Sequence, residues 1–96
     1  MDIKQIIYFI EVADKESYST AAKALSVSQP TLSVAIQKLE KELGLTLFYY
    51  NLRKMNLTDE GKLFYSYARD YLSAYNRMIE RSRSISKEII GSITIV

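Results

Sequence analysis

The chain has 96 residues, 48% of them hydrophobic, with a formal net charge of +2 and neither cysteine nor histidine. That length fits one small domain with an appendage, and the apolar content is enough for a core. The missing residue types exclude disulfides, thiolate chemistry, the usual zinc ligand sets and the commonest general base, so no metal, no cofactor and no catalytic residues are expected.

Ile3, Ile6, Ile7, Ile10 and Ala13, with Phe9 beside them, recur at helical spacing behind Asp2, a good N-cap. They predict a first helix from Ile3 to about Asp14. Lys15-Glu16 breaks the pattern, and Ser17 is placed to cap a second helix over Tyr18 to Leu25. Ser26-Val27 makes a turn. Ser28 can cap a third helix with Pro30 in its first turn, where a missing N–H costs nothing, and the helix ends at Leu43 before Gly44. Two extended segments, Leu47 to Tyr50 and Met55 to Leu57, flank the polar, basic turn Asn51 to Lys54 and read as a β-hairpin wing. Thr58 caps a last helix, with Asp59 and Glu60 well placed against its N-terminal dipole.

Along that last helix Phe64, Ala68, Tyr71, Tyr75, Met78, Ser82, Ile85 and Ile89 follow steps of four and three, the spacing of a coiled-coil seam, with Leu72 and Ile79 widening it. A helix of about thirty residues at about 1.5 Å each is too long to cover its stripe on so small a body, so a second chain is expected. Gly91 is expected to end the helix, and Ser92 to Val96 alternates like the start of a strand. The fold class read from these elements is mainly α: a winged helix-turn-helix over residues 1–58 (three helices plus the hairpin) and a long dimerisation helix over 59–90. Residues 91–96 are expected to begin a further domain.

The stretch from Tyr18 to Glu40 carries the functional signal. A helix-turn-helix needs a small residue where its helices touch, here Ala22, with apolar residues at fixed steps around it: Tyr18, Ala21, Leu25, Val27, Leu32, Ala35 and Ile36. Extra volume at Ala22 would force the helices apart. The opposite face of the third helix shows Pro30, Ser33, Val34, Gln37 and Lys38, with Gln29 at the free amino end. Glutamine can bind adenine through two hydrogen bonds, Thr31 and Val34 offer methyl groups to thymine, and Ser28 with the helix end suits a phosphate. Arg53 and Lys54 at the wing tip suit phosphate or a narrow minor groove. The plain alternative is an amphipathic helix with a solvated polar face and two solvated loop charges. It accounts for any one of these residues but not for the whole string at these spacings. Charge is permissive only: residues 1–58 hold seven basic and six acidic side chains, and residues 59–96 hold six and five.

Taken together, Phe9, Val12-Ala13, Ser17-Tyr18, Ala21-Ala22, Leu25, Val27-Ser28-Gln29-Pro30, Leu32-Ser33, Ile36, Leu39-Glu40, Leu43-Gly44, Leu47-Phe48, Leu57-Thr58 and Gly61 resemble the N-terminal region of LysR-type transcriptional regulators. The resemblance covers essentially the whole chain. It implies sequence-specific binding of double-stranded DNA, with contacts at Ser28, Gln29, Pro30, Thr31, Ser33 and Arg53, and a homodimer through the linker helix. It also implies tetramers in a full-length protein and a small-molecule effector bound only by a further domain. Two positions depart from the family pattern: Tyr50 and Val34 stand where arginine is usual or frequent. Each departure removes a phosphate or base contact, which implies lower affinity and a different preferred half-site.

Two other functions compete. A coiled-coil interaction module without DNA binding would use the last helix alone and show no salt-sensitive DNA affinity. An enzyme is disfavoured, since no glycine-rich phosphate loop or carboxylate pair in a cleft can be drawn. No apolar run approaches the roughly 20 residues of a membrane span, and charged Asp2 and Lys4 are unlike a signal peptide, so a cytoplasmic location is expected.

Overall fold

A computed structural model describes the backbone of residues 1–95 and the side-chain surroundings of residues 1–89. The order is α1 (Ile3–Lys15), α2 (Tyr18–Leu25), α3 (Gln29–Leu43), β1 (Phe48–Asn51), β2 (Lys54–Leu57) and α4 (Asp59–Ile95). The first three helices start on the expected caps. The Asp2 carboxylate accepts the Gln5 N–H at 2.9 Å, and the Gln5 side-chain oxygen accepts the Asp2 N–H at 3.1 Å. Ser17 Oγ accepts the Thr20 N–H at 3.1 Å, and Ser28 Oγ the Thr31 N–H at 3.2 Å. All three helices end on a left-handed residue: Glu16, Ser26 and Gly44, with φ of 56°, 58° and 66°. For Ser26 this conformation costs on the order of 1 kcal/mol. The Val27 N–H donating to the Ala22 carbonyl at 3.0 Å helps hold it there.

The core is centred on Phe9, which is fully buried. Its ring meets Phe64 of α4 at 5.1 Å, Phe48 of β1 at 5.3 Å and Tyr65 of α4 at 6.4 Å between centroids. Val12, Leu32, Ile36, Leu39 and Leu47 complete the buried centre, and Ala21 and Ala22 let α2 approach closely.

Glu40, at the edge of this core, organises the entry to the hairpin: its carboxylate accepts the N–H of Leu47 at 2.7 Å and of Phe48 at 3.4 Å. Because Glu40 takes the Leu47 N–H, β1 begins one residue later than expected, although the Leu47 carbonyl still accepts the Thr58 N–H at 3.0 Å. Thr58 Oγ1 in turn donates to the Thr46 carbonyl at 2.6 Å and accepts the Gly61 N–H at 2.9 Å, tying the hairpin to the start of α4. The strands pair antiparallel from Phe48↔Leu57 to Asn51↔Lys54, which leaves a two-residue turn, Leu52-Arg53, tighter than the four residues expected.

One expectation fails. The long helix does not stop at Gly91; it continues to Ile95, where a strand was expected, and Val96 lies outside the described residues. A helical glycine costs only about 1 kcal/mol against alanine, too little to end a helix by itself. A strand also needs a neighbour to pair with, and none lies beside this segment among the described residues.

Two outcomes test this packing. Glycine to alanine inside a helix ordinarily stabilises, yet a Cβ on Gly61 would run into the Leu47 carbonyl oxygen. Gly61→Ala is therefore expected to lower stability by about 1–3 kcal/mol in urea unfolding, and a gain would contradict the close approach. Burial, and then the charge of Glu40, push the Tyr18 phenol up to about 12. The fold thus favours the neutral phenol. That contribution is complete below the ordinary value near 10 and is lost as pH rises from 10 to 12. Tyr65 is raised too, by donating its hydroxyl to the Asp14 carboxylate, so absorbance titration should show more than one late-ionising tyrosine and Tyr18→Phe should remove one of them.

Candidate nucleic-acid interface

The amino end of α3 projects from the body. Ser28, Gln29, Pro30, Thr31, Gln37 and Lys38 are exposed, Val34 is 49% exposed, and Ser33 is half-buried. The opposite side of the unit forms the core: Ala21, Ala22, Leu32 and Ile36 are buried, and Tyr18, Leu25, Val27 and Ala35 are half-buried. The candidate base-reading residues are thus open to solvent on two sides of the helix end, Gln29 beside the wing and Thr31 and Val34 toward the start of α1, with the helix held from behind by the residues assigned to helix-turn-helix packing. The Ser28 hydroxyl is engaged internally. It caps the helix and donates to Thr31 Oγ1 at 2.7 Å, so a phosphate at this end would meet the helix terminus more than a free hydroxyl.

The wing stands beside that end. Gln29, Tyr50, Arg53, Ser19 and Glu16 border one cleft of about 380 Å³, which joins the α3 terminus to the wing tip. The wing is anchored from below, where the Met55 N–H donates to the Glu16 carbonyl at 2.9 Å. Lys54 is not free, since its Nζ lies 3.3 Å from Glu16 Oε2. Both partners are about half exposed, so the pair contributes at most about 1 kcal/mol and would yield to a phosphate.

At the tip, Leu52 and Arg53 both have positive φ, 53° and 63°. A two-residue hairpin loop with this backbone is a type I′ turn, normally built from Asn or Gly. Asn56 stabilises it, its side-chain amide donating to the carbonyls of Asn51 at 3.2 Å and Lys54 at 3.0 Å. The sequence located a turn over Asn51 to Lys54 but not its two-residue left-handed form, because the usual Asn or Gly signal is absent, and it missed the Glu16 anchor because backbone pairing leaves no residue pattern.

On α4 the expected seam divides. Phe64 and Ala68 serve the chain's own core: Phe64 meets Phe9 edge to face, and Ala68 is only 3% exposed. Leu72 packs there too, and Tyr75 is half-buried. What stands open is Leu63, Tyr67, Tyr71, Met78, Ile85 and Ile89. At 3.6 residues per turn these six fall within about 80° of arc, an apolar stripe with Arg81 at its edge between Met78 and Ile85. Of the residues expected in the dimer seam, Tyr71, Met78, Ile85 and Ile89 are exposed and Tyr75 is half-buried, whereas Phe64 and Ala68 pack within the chain; Leu63 and Tyr67 belong to the open stripe as well. The reason is that α4 must pack on Phe9 before it can present a face to anything else. No described helix is long and apolar enough to cross a membrane.

This geometry has known counterparts. The family described as "Bacterial regulatory helix-turn-helix protein, lysR family" matches residues 3–62. The regulator BudR of Klebsiella aerogenes is 37% identical over 95 residues, covering 99% of this chain and 66% of its own. BsdA of Bacillus subtilis is 36% identical over 96 residues, covering 99% of this chain and 33% of its own. The chain thus spans between a third and two thirds of the length of these relatives. Among solved structures, the BenM DNA-binding domain in complex with catB site 1 DNA superposes with a TM-score of 0.86 at 37% identity, covering 90% of this chain and 96% of that one. Full-length CbnR complexed with its target DNA gives 0.81 at 39% identity, covering 88% of this chain and 29% of that one. The chain belongs to the LysR family of bacterial regulatory helix-turn-helix proteins.

Proposed function

We propose that this chain binds double-stranded DNA sequence-specifically as part of a transcriptional regulator, with the amino end of α3 in the major groove and the wing tip on the backbone and minor groove. The observation that carries this reading is the open α3 terminus facing the same cleft as Arg53. Its likeness to domains solved on DNA adds support. Within it, Gln29 reads a base edge, Thr31 and Val34 meet thymine methyls, Ser33 and Gln37 lie along the groove, and Pro30 shapes the first turn. Lys38, Arg53 and Lys54 meet phosphate. The reading assigns no reaction to the chain and places it in the cytoplasm, with the chromosome. An interaction module alone would leave the exposed α3 terminus without a role.

The reading also makes the chain a homodimer through the open stripe of α4, because six large apolar side chains in one line are costly to leave in water. No effector site is assigned to these residues.

Selection of duplexes from a random pool at physiological salt supplies the probe. Gln29→Ala is expected to relax preference at one base position, costing about 1–3 kcal/mol on the selected duplex. Arg53→Ala is expected to weaken all duplexes alike and reduce the slope of log affinity against log salt by about one. If neither substitution altered binding, the reading would be rejected. Separately, Met78→Glu combined with Ile85→Glu should give monomers by sedimentation while the circular dichroism of the winged unit persists. A pair that stayed dimeric would remove α4 from the interface.

A further inference from the structure

Among the described residues, Leu52 is the most exposed large apolar side chain, at 82%. It occupies the first central position of the wing turn at φ 53°, where asparagine or glycine would sit without strain. Arg53 follows at φ 63°, so two successive residues hold a left-handed backbone that neither favours. Leucine here is unfavourable for folding twice over, in solvent exposure and in backbone strain. The turn persists because Asn56 ties both flanking carbonyls and because Glu16 anchors β2. An over-determined strained turn carrying an apolar tip points to a use outside the fold.

We propose that Leu52 is an apolar anchor of the wing in the DNA minor groove, packing against the sugar walls while Arg53 beside it meets phosphate. This rests on the DNA-binding reading above. The occupant is DNA because the adjoining Arg53 lines the cleft shared with Gln29, so the tip continues the face that α3 presents. Aliphatic side chains enter minor grooves readily, since the groove walls are sugar carbons and hydrophobic contact there displaces ordered water. The left-handed turn sets the leucine at the extreme tip, ahead of the strands. Its contribution is non-electrostatic. It therefore adds affinity without adding to the number of counterions released.

The test compares the full chain with its Leu52→Asn variant on a duplex selected from a random pool, over a range of salt concentrations, with thermal unfolding measured alongside. Asparagine suits the left-handed turn and removes the apolar tip. The variant should melt at the same or a higher temperature, yet bind roughly three- to tenfold more weakly at every salt concentration, with an unchanged salt slope. Equal affinity would overturn the proposal. So would a lower melting temperature, which would make the leucine part of the fold, or loss of the dimer with DNA affinity intact, which would assign it to a protein contact. If the unaltered chain bound no duplex, the DNA-binding reading itself would fall. Binding by the unaltered chain with no difference in the variant would remove only Leu52's part.

Discussion

The seating of Phe9 is the contact on which the rest of the molecule depends. Its ring joins three elements that are far apart in the chain: α1, the first wing strand through Phe48, and α4 through Phe64 and Tyr65. Aromatic pairs at these separations add about 0.5–1.5 kcal/mol each beyond the area they bury. More important here is geometry. With α1 as the common support, α3 is fixed through the buried Ile36 and Leu39, and the wing through Phe48 and the Glu16 carbonyl. The distance between the α3 terminus and the wing tip is set by this packing and by no direct bond between the two.

The same junction decides how α4 is used. Because Phe64, Ala68 and Leu72 face Phe9 and its neighbours, the helix turns a different stripe outward, from Leu63 to Ile89 with Arg81 at its edge. One helix thus serves two packings on adjacent faces, one within the chain and one open. A net charge of +2 gives little long-range attraction for a polyanion, so the DNA binding proposed above would rest on the placement of Arg53, Lys38 and the α3 terminus. Strain is concentrated in the same region. Glu16, Ser26, Leu52 and Arg53 are the non-glycine residues with positive φ, and all four lie at turns around the open face or beneath it.

Much of this was legible in the sequence. Asp2, Ser17, Ser28 and Gly44 mark helix ends through their own backbone chemistry, and the apolar steps around Ala22 disclose the helix-turn-helix. Features set by contacts distant in sequence were not legible. Glu40 could be read as structural, but not that it would take the N–H of Leu47 and so shorten β1 by one residue. The apolar repeat on α4 was legible, but not that Phe64 and Ala68 pack within the chain while Tyr71, Met78, Ile85 and Ile89 stay exposed, because a repeat shows which residues are apolar and not which neighbour claims them. The place of the wing turn was legible but its type was not, since Leu-Arg carries no signal for a left-handed turn. Gly91 was over-read: position and type marked an end, but the helix runs on through it.

The most direct test of the account follows backbone amide resonances of the chain as a selected DNA duplex is added. The account predicts the largest shifts at Ser28 to Lys38 and at Asn51 to Lys54, with Tyr71 to Ile89 little changed. Shifts confined to α4, or a first turn of α3 that does not respond, would contradict it.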